Sequence, residues 1–150
     1  MKYLFPFIIV LSLNSCSPNL SADAIIQRSI DVYGGELYKN SIIQFQFRGK
    51  QYSATRKNGN YRYERNYEDS SGTIKEYLNN SGVHKEINDS SIELSNEQKR
   101  KIGNSINSVI YFASLPYPLL DGAVRKKILR NHSINNEDFY LIEITFNKVG

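Results

Sequence analysis

The chain has 150 residues, 40% of them hydrophobic, and carries 19 basic against 15 acidic residues. This length fits one domain with a sizeable core, and the interleaved charges lack the clustered basic face that nucleic-acid binding requires. Two histidines and a single cysteine exclude an internal disulfide and leave too few ligands for zinc or thiol chemistry, so we expect no metal, no cofactor and no nucleic-acid partner.

The chain opens with an apolar run, residues 4–13, that stops shortly before Cys16. A helix needs about 20 apolar residues to cross a bilayer, whereas a secretory signal needs only about 7–15. Lys2 precedes the run, and the sequence "LNSC" that ends at Cys16 resembles a bacterial lipobox. The resemblance implies that residues 1–15 are a lipoprotein signal peptide, that Cys16 is lipidated, and that residues 16–20 are a short tether. An ordinary signal peptide with Cys16 left as a free thiol is the alternative.

The lipobox also implies a location in the bacterial cell envelope. Two or more acyl chains hold a protein stably on a membrane. Ser17 is not acidic, which favours the outer membrane over the inner one.

The domain that follows, residues 21–150, begins with a predicted amphipathic helix. Ser21 suits an N-cap, and Gly34 and Gly35 suit a stop. The periodicity then changes to two, and residues 43–87 predict an antiparallel meander. Its aromatic and apolar side chains fall on one face of the first and third strands: Ile43, Phe45, Phe47, Tyr61, Tyr63 and Tyr67. Asn58-Gly59 predicts a tight hairpin between the second and third strands, because both residues tolerate a positive φ.

A second helix is predicted from Ser95, which has capping-box spacing to Gln98. Pro116 and Pro118 must end it. Residues 123–129 and 139–146 predict two further strands, with His132 in the loop between them. The last strand would leave an exposed apolar edge, which proteins normally cover. We therefore expect the domain to be incomplete at its C-terminus, or its sheet to be closed by something else.

The sequence contains few candidate catalytic residues. His84 and Glu86 share a strand face and could orient an imidazole, but a solvated pair at a sheet edge is the simpler interpretation. The basic run "VRKKILR", residues 124–130, could attract anionic lipid headgroups, or it could protect an edge strand with its lysines. No phosphate loop or nucleophile elbow is present in the sequence. We therefore expect no catalytic residues and no enzyme.

Two segments, "NSVIYFASLPYPLLDGAV" (residues 107–124) and "RKNGNYRYER" (residues 56–65), resemble a family of uncharacterised bacterial lipoproteins with a fold similar to the lipoprotein carriers LolA and LolB. The resemblance covers most of the chain after the signal. It implies an α+β fold: a half-open antiparallel β-barrel with two covering helices. It also implies binding of lipid, or of the acyl chains of other lipoproteins, on the concave side.

The sequence therefore predicts a membrane-anchored, periplasmic lipid- or lipoprotein-binding protein without enzymatic activity. Seven residues are the candidates for the ligand-binding lining: Phe45, Phe47, Tyr61, Tyr63, Ile106, Ile110 and Leu119. Tyrosine suits a surface that is partly apolar and partly wet, but the same rings would also serve in a solid core. A solid core would favour a protein-interaction module, and an enzyme for a small substrate is the least favoured alternative.

Overall fold

The computed structural model describes residues 20–147 and shows an α+β fold. It contains two α-helices, a six-stranded antiparallel sheet and a separate two-stranded ribbon. The predicted α+β class, with two helices and antiparallel strands, is confirmed. The predicted signal peptide, Cys16 and all but the last residue of the tether lie outside the described residues.

The elements follow one another with short connections. The chain starts with α1 (Ala22–Val32) and a first 3₁₀ segment (Gly35–Lys39). The six strands of the sheet are neighbours in chain order: β1 (Ser41–Phe47), β2 (Lys50–Lys57), β3 (Asn60–Asp69), β4 (Gly72–Asn79), β5 (Gly82–Ile87) and β6 (Ser90–Ser91). The remaining elements are α2 (Asn96–Ala113), a second 3₁₀ segment (Tyr117–Leu120), and the ribbon strands β7 (Val124–Ile134) and β8 (Glu137–Phe146).

Local sequence signals explain where the helices begin. The Ser21 hydroxyl accepts a hydrogen bond of 3.1 Å from the backbone N–H of Ala24. At the start of α2, the Gln98 N–H donates to the Ser95 hydroxyl at 3.3 Å, and the Ser95 N–H donates to the Gln98 side chain at 2.8 Å. Both bonds of a capping box are therefore present, and both predicted helix starts are confirmed.

The predicted meander is also confirmed. Asn58 and Gly59 have φ values of 50° and 80°, as the two central residues of a type I′ turn require. This turn fixes the register of β2 and β3, in which Ala54 lies opposite Tyr63 and Arg56 opposite Tyr61. Since alternate residues of a strand share a face, one face of the sheet receives Tyr52, Ala54 and Tyr63. We call this the inner face.

The main core lies where α2 covers the inner face. Ile106 and Ile110 of α2 are almost completely buried and form a cluster with Tyr52 and Ala54. Gly103 allows the helix to come close to the sheet, because a Cβ at this position would lie 3.1 Å from a Val83 methyl group. The space directly under the middle of α2 is therefore filled with the protein's own side chains.

A second part of the inner face is charged. The Glu76 side chain is 3% exposed and lies 2.6 Å from the Arg65 guanidinium and 3.2 Å from the Lys85 ammonium. Arg65 also donates to the Ser105 hydroxyl of α2 at 2.7 Å. Burial lowers the pKa of Arg65, but the hydrogen bond and charge of Glu76 outweigh it and raise this pKa overall. An ion cluster therefore attaches the middle of α2, at Ser105, to the sheet.

The ribbon corrects one prediction from the sequence. His132 lies in β7, opposite Phe139 of β8, and not in a loop. The connection is only Asn135 and Asn136, with φ values of 51° and 66°. Asparagine tolerates this left-handed conformation better than most residues, so two asparagines suffice for a tight turn and the strands run up to it.

Within residues 20–147, no helix combines the length and the apolar character that a membrane crossing needs. In the part of the chain that the structure describes, the ribbon pairs with no strand of the six-stranded sheet. It joins the rest of the domain through Lys126 of β7, whose side chain is 11% exposed and lies 2.7 Å from Asp23 of α1. The same ammonium donates to the carbonyl oxygen of Leu119 at 2.9 Å. Lys126 therefore holds α1, the second 3₁₀ segment and the ribbon together.

Candidate ligand-binding cavity

A cavity of about 700 Å³ opens beside the C-terminal half of α2. Its walls come from α1, α2, both 3₁₀ segments and the base of the ribbon. Three buried aliphatic side chains, Ile30, Ile110 and Val124, contribute to the apolar lining. Ligand sites in proteins typically have volumes of about 300–1,000 Å³, so this cavity is large enough for a small molecule.

The two 3₁₀ segments are fixed to each other at this cavity. The rings of Tyr38 and Tyr117 stack with their centroids 4.9 Å apart and their planes 8° from parallel. Tyr117 belongs to the lining. Because aromatic stacking adds to the burial energy of the rings, the contact stabilises two segments that have few backbone hydrogen bonds of their own.

Arg56 brings a positive charge into the lining. It lies on the inner face of β2, where its Nε donates to the Tyr63 hydroxyl at 3.0 Å and its Nη2 donates to the Ser114 hydroxyl at 3.0 Å. Its Nη1 is buried and has no hydrogen-bond partner. None of the ion pairs within residues 20–147 includes Arg56. Since buried charges are normally paired, an unpaired guanidinium in a cavity wall indicates a binding site.

Tyr111 provides a second polar group without a partner. Its hydroxyl is buried and forms no hydrogen bond, and its ring belongs to the lining of the same cavity. Burial raises the pKa of Tyr111, and the negative charge of Asp121 raises it further. Among the described residues the only other such atom is the Asn66 amide oxygen, which lies on the outer face of the sheet. Two of the three unpartnered atoms therefore belong to residues that line the cavity.

The other charged side chains of the lining have partners. Lys39 and Glu36 form an ion pair of 2.8 Å. A carboxylate oxygen of Asp121 accepts a hydrogen bond of 2.8 Å from the Ala123 N–H. Arg56 is therefore the cationic side chain of the lining that lacks a carboxylate.

The structure separates the seven residues that the sequence suggested for a lining. Tyr63 and Ile110 line the cavity. The ring of Tyr61 lies against that of Tyr63, with centroids 5.0 Å apart, and Leu119 is half-buried in the second 3₁₀ segment. Ile106 is fully buried in the core beneath α2.

Phe45 and Phe47 lie elsewhere, in an apolar groove of about 440 Å³ between β1 and α2. Val109 and Phe112 form the helix side of this groove. Phe112 is 70% exposed, so the groove is a surface feature. Five of the seven predicted residues therefore divide among a core, a cavity and a groove, whereas Tyr61 and Leu119 line neither the cavity nor the groove.

Two important residues of the cavity, Arg56 and Tyr111, were missed by the sequence analysis. A signal for Arg56 was available, because strand alternation places it on the same face as Tyr52 and Ala54. A charged residue on a face that is otherwise buried is unusual and points to a partner or a ligand. Tyr111 gives no comparable signal, since it reads as one more aromatic residue of an amphipathic helix.

The remaining polar candidates show no catalytic arrangement. His84 stacks on the ring of Tyr77 at 4.9 Å, and its Nε2 lies 3.2 Å from the Ser81 hydroxyl. Glu86, on the same strand face, accepts hydrogen bonds from Lys75 and Tyr77. In residues 20–147, no three side chains of the types that hold metal ions come together.

The described residues therefore form a helix-covered antiparallel sheet with a mixed polar and apolar cavity beside the helix ends. The chain belongs to the family of unknown function DUF6503, whose family model matches residues 2–150. No curated protein and no solved structure matches the chain.

Proposed function

We propose that this protein binds an acyl chain, without covalent chemistry, in the cavity lined by Ile30, Ile110 and Val124. The observation that carries the proposal is a cavity of about 700 Å³ in which apolar walls and a few polar groups meet. Small-molecule sites commonly combine these features. The ligand is a free lipid or the acyl chain of another lipoprotein.

The proposal includes a membrane tether. The apolar run before Cys16 and the lipobox-like "LNSC" support lipidation at Cys16 and a position in the bacterial envelope, with the outer membrane favoured. A tethered domain can exchange an apolar ligand with the membrane surface beside it.

The proposal also includes a LolA-like, half-open barrel. Support comes from the six-stranded antiparallel sheet with α2 on one face, and from the ribbon, which extends the wall of the cavity through Val124 and Phe146. In this arrangement the concave side of the barrel and the two helices enclose the ligand.

Burial of an acyl chain would supply the binding energy. Each buried methylene group contributes about 0.8 kcal/mol, so a chain with about ten buried methylenes gains about 8 kcal/mol before the cost of association. A ligand held this way leaves only for another apolar environment, which means a membrane or a second binding protein.

Lipid extraction tests this function. The full chain, purified in mild detergent, should carry non-covalently bound lipid that mass spectrometry detects after extraction. The Cys16→Ser variant lacks the protein's own acyl anchor, so any lipid extracted from it is a bound ligand, and it should still contain such lipid. Asn107→Trp places a large ring in the cavity lining and should lower the bound lipid at least tenfold. Asn104→Trp, at another exposed position of the same helix that does not belong to the lining, should not. Equal lipid content in both tryptophan variants would contradict binding in this cavity.

The exposed ribbon favours a second candidate function, recognition of a protein partner. Ile134, Phe139 and Tyr140 near its tip are each about half exposed, at 52%, 45% and 53%. A two-stranded ribbon is only marginally stable alone and gains from a further strand or a packed face. If this is the function, Phe139→Ser abolishes association in crosslinking from membranes, whereas Asn107→Trp leaves it unchanged.

A further inference from the structure

We infer that the ligand carries a carboxylate group, which Arg56 binds inside the cavity, so that the ligand class is a free fatty acid. This inference rests on the proposed function, because it assigns a head group to the acyl chain. It concerns the polar end of the site, which the apolar lining alone does not define.

The guanidinium of Arg56 has incomplete hydrogen bonding. Arg56 uses Nε for Tyr63 and Nη2 for Ser114, and both partners are neutral hydroxyl groups. Nη1 is buried and donates to nothing. The two bonds that exist hold the planar group between Tyr63 of β3 and Ser114 at the end of α2, so its remaining nitrogen is positioned in advance. Arginine binds carboxylates strongly because its planar donors match their geometry.

Arg56 is the cation of the lining that lacks a carboxylate. Lys39 and Glu36 pair with each other, and the Asp121 carboxylate accepts a hydrogen bond from the Ala123 N–H. The four charged side chains of the lining sum to a net charge of zero, so an anion is favoured only locally, at the Arg56 guanidinium, whose missing counter-ion a ligand carboxylate would supply.

Tyr111 supplies a second hydrogen-bond donor. The Tyr111 hydroxyl belongs to the same lining, is buried, and has no partner. A tyrosine hydroxyl keeps its proton at neutral pH and can therefore donate a hydrogen bond. A carboxylate has two oxygens, and the lining offers two donors that have no partner in the protein.

These groups give the site a direction. In this proposal Arg56 and Tyr111 would hold the carboxylate, while Ile30 and Val124, which also belong to the lining, would receive the hydrocarbon. A neutral lipid in the same cavity would leave the Arg56 charge buried and unpaired. The site should therefore prefer the acid to its neutral relatives.

The test compares palmitate with hexadecanol, below the concentrations at which either aggregates, in calorimetric titrations of lipid-stripped full chain. The wild type should bind palmitate at least tenfold more tightly than hexadecanol. Arg56→Met should lose most of the affinity for palmitate and leave that for hexadecanol within about threefold. Arg62→Met, which removes an arginine from the outer face of β3, should behave like the wild type. Tyr111→Phe should weaken palmitate binding alone.

The other possible results separate failure of the carboxylate inference from failure of the proposed function. Equal affinity of the wild type for the acid and the alcohol would overturn the carboxylate inference and leave acyl-chain binding intact. Binding of neither compound would overturn the proposed function itself. Tighter binding of hexadecyl phosphate than of palmitate would overturn the carboxylate in favour of a phosphate. If Arg56→Met does not fold, Arg56→Lys keeps the charge without the planar donors, and an unchanged preference in that variant would contradict recognition by the guanidinium geometry.

Discussion

The guanidinium of Arg65, on β3, lies 2.6 Å from the carboxylate of Glu76 on the neighbouring strand, β4. Both side chains lie on the face of the sheet that α2 covers. Lys85 approaches the other oxygen of the same carboxylate at 3.2 Å. The inner face of the sheet thus contains a closed ionic cluster beneath the middle of α2 and an incompletely paired arginine beside its C-terminal end. The first arrangement is structural, and the second is the ligand site that we propose.

Glu76→Gln should destabilise the fold strongly. The substitution removes the only carboxylate that pairs with Arg65 in the described structure and leaves two partly buried cations close together. Breaking a buried ion pair from one side typically costs about 3–5 kcal/mol. Urea unfolding measures this change in the free energy of unfolding. Glu97→Gln is the control, because the exposed pair of Glu97 with Lys101 should contribute at most about 1 kcal/mol. Similar losses in both variants would show that the cluster does not hold α2 in place.

Ile106→Ala should lower stability by about 2–5 kcal/mol, the usual range for removing a large aliphatic side chain from a core. Ile106 is fully buried between α2 and the sheet. The midpoint and slope of urea unfolding measure the loss. Phe112→Ala, at a position that is 70% exposed on the same helix, should cost less than about 1 kcal/mol. A small effect of Ile106→Ala would mean that α2 is not packed on the sheet as described.

The stability of the protein should respond differently to loss of the hydroxyl group at Tyr63, which is bound to Arg56, and at Tyr111. Tyr63→Phe removes the acceptor of an Arg56 hydrogen bond and should cost about 0.5–1.5 kcal/mol or more, because the donor is charged. Tyr111→Phe removes a buried hydroxyl that has no partner, so ligand-free protein should be unchanged or slightly more stable. Thermal unfolding of lipid-stripped protein measures both. A clear loss of stability in Tyr111→Phe would show that this hydroxyl has a partner after all.

Stability should fall in alkaline solution. Burial raises the pKa of both Tyr67 and Tyr111 above the ordinary tyrosine value of 10.0. The folded protein therefore keeps these protons to higher pH than the unfolded chain does. Their contribution is complete below pH 10 and is lost as the pH rises through the folded pKa values. Urea midpoints measured from about pH 9 to about pH 11 should decrease. The double variant Tyr67→Phe, Tyr111→Phe should reduce this slope, and an unchanged slope would contradict the assignment.

The elements that the sequence predicted well are those encoded by neighbouring residues. The Ser95 and Gln98 capping box and the Asn58-Gly59 turn need only a few consecutive side chains, and both are present in the structure. The Asn135-Asn136 turn was missed because it lacks the glycine that usually marks a two-residue hairpin. The missed turn placed His132 in a loop and shortened both ribbon strands.

The cavity was harder to predict because residues far apart in the chain form it. Tyr38 stacks on Tyr117 of the lining, and Arg56 reaches Ser114 at the end of α2. Such contacts depend on how the helix ends dock on the sheet, which periodicity does not reveal. Tyr63 and Ile110 were predicted from their strand and helix faces, and these faces do point towards the covered side of the sheet.

The most direct test of the central claim is to locate an acyl chain by NMR in lipid-stripped protein with labelled methyl groups. With ¹³C-labelled palmitate, cross-relaxation should connect the hydrocarbon chain to the methyl groups of Ile30, Ile110 and Val124. The methyl groups of Ile74, buried elsewhere in the described core, should show no such contact. Contacts confined to Ile134 at the ribbon, or none with any of these residues, would contradict the account.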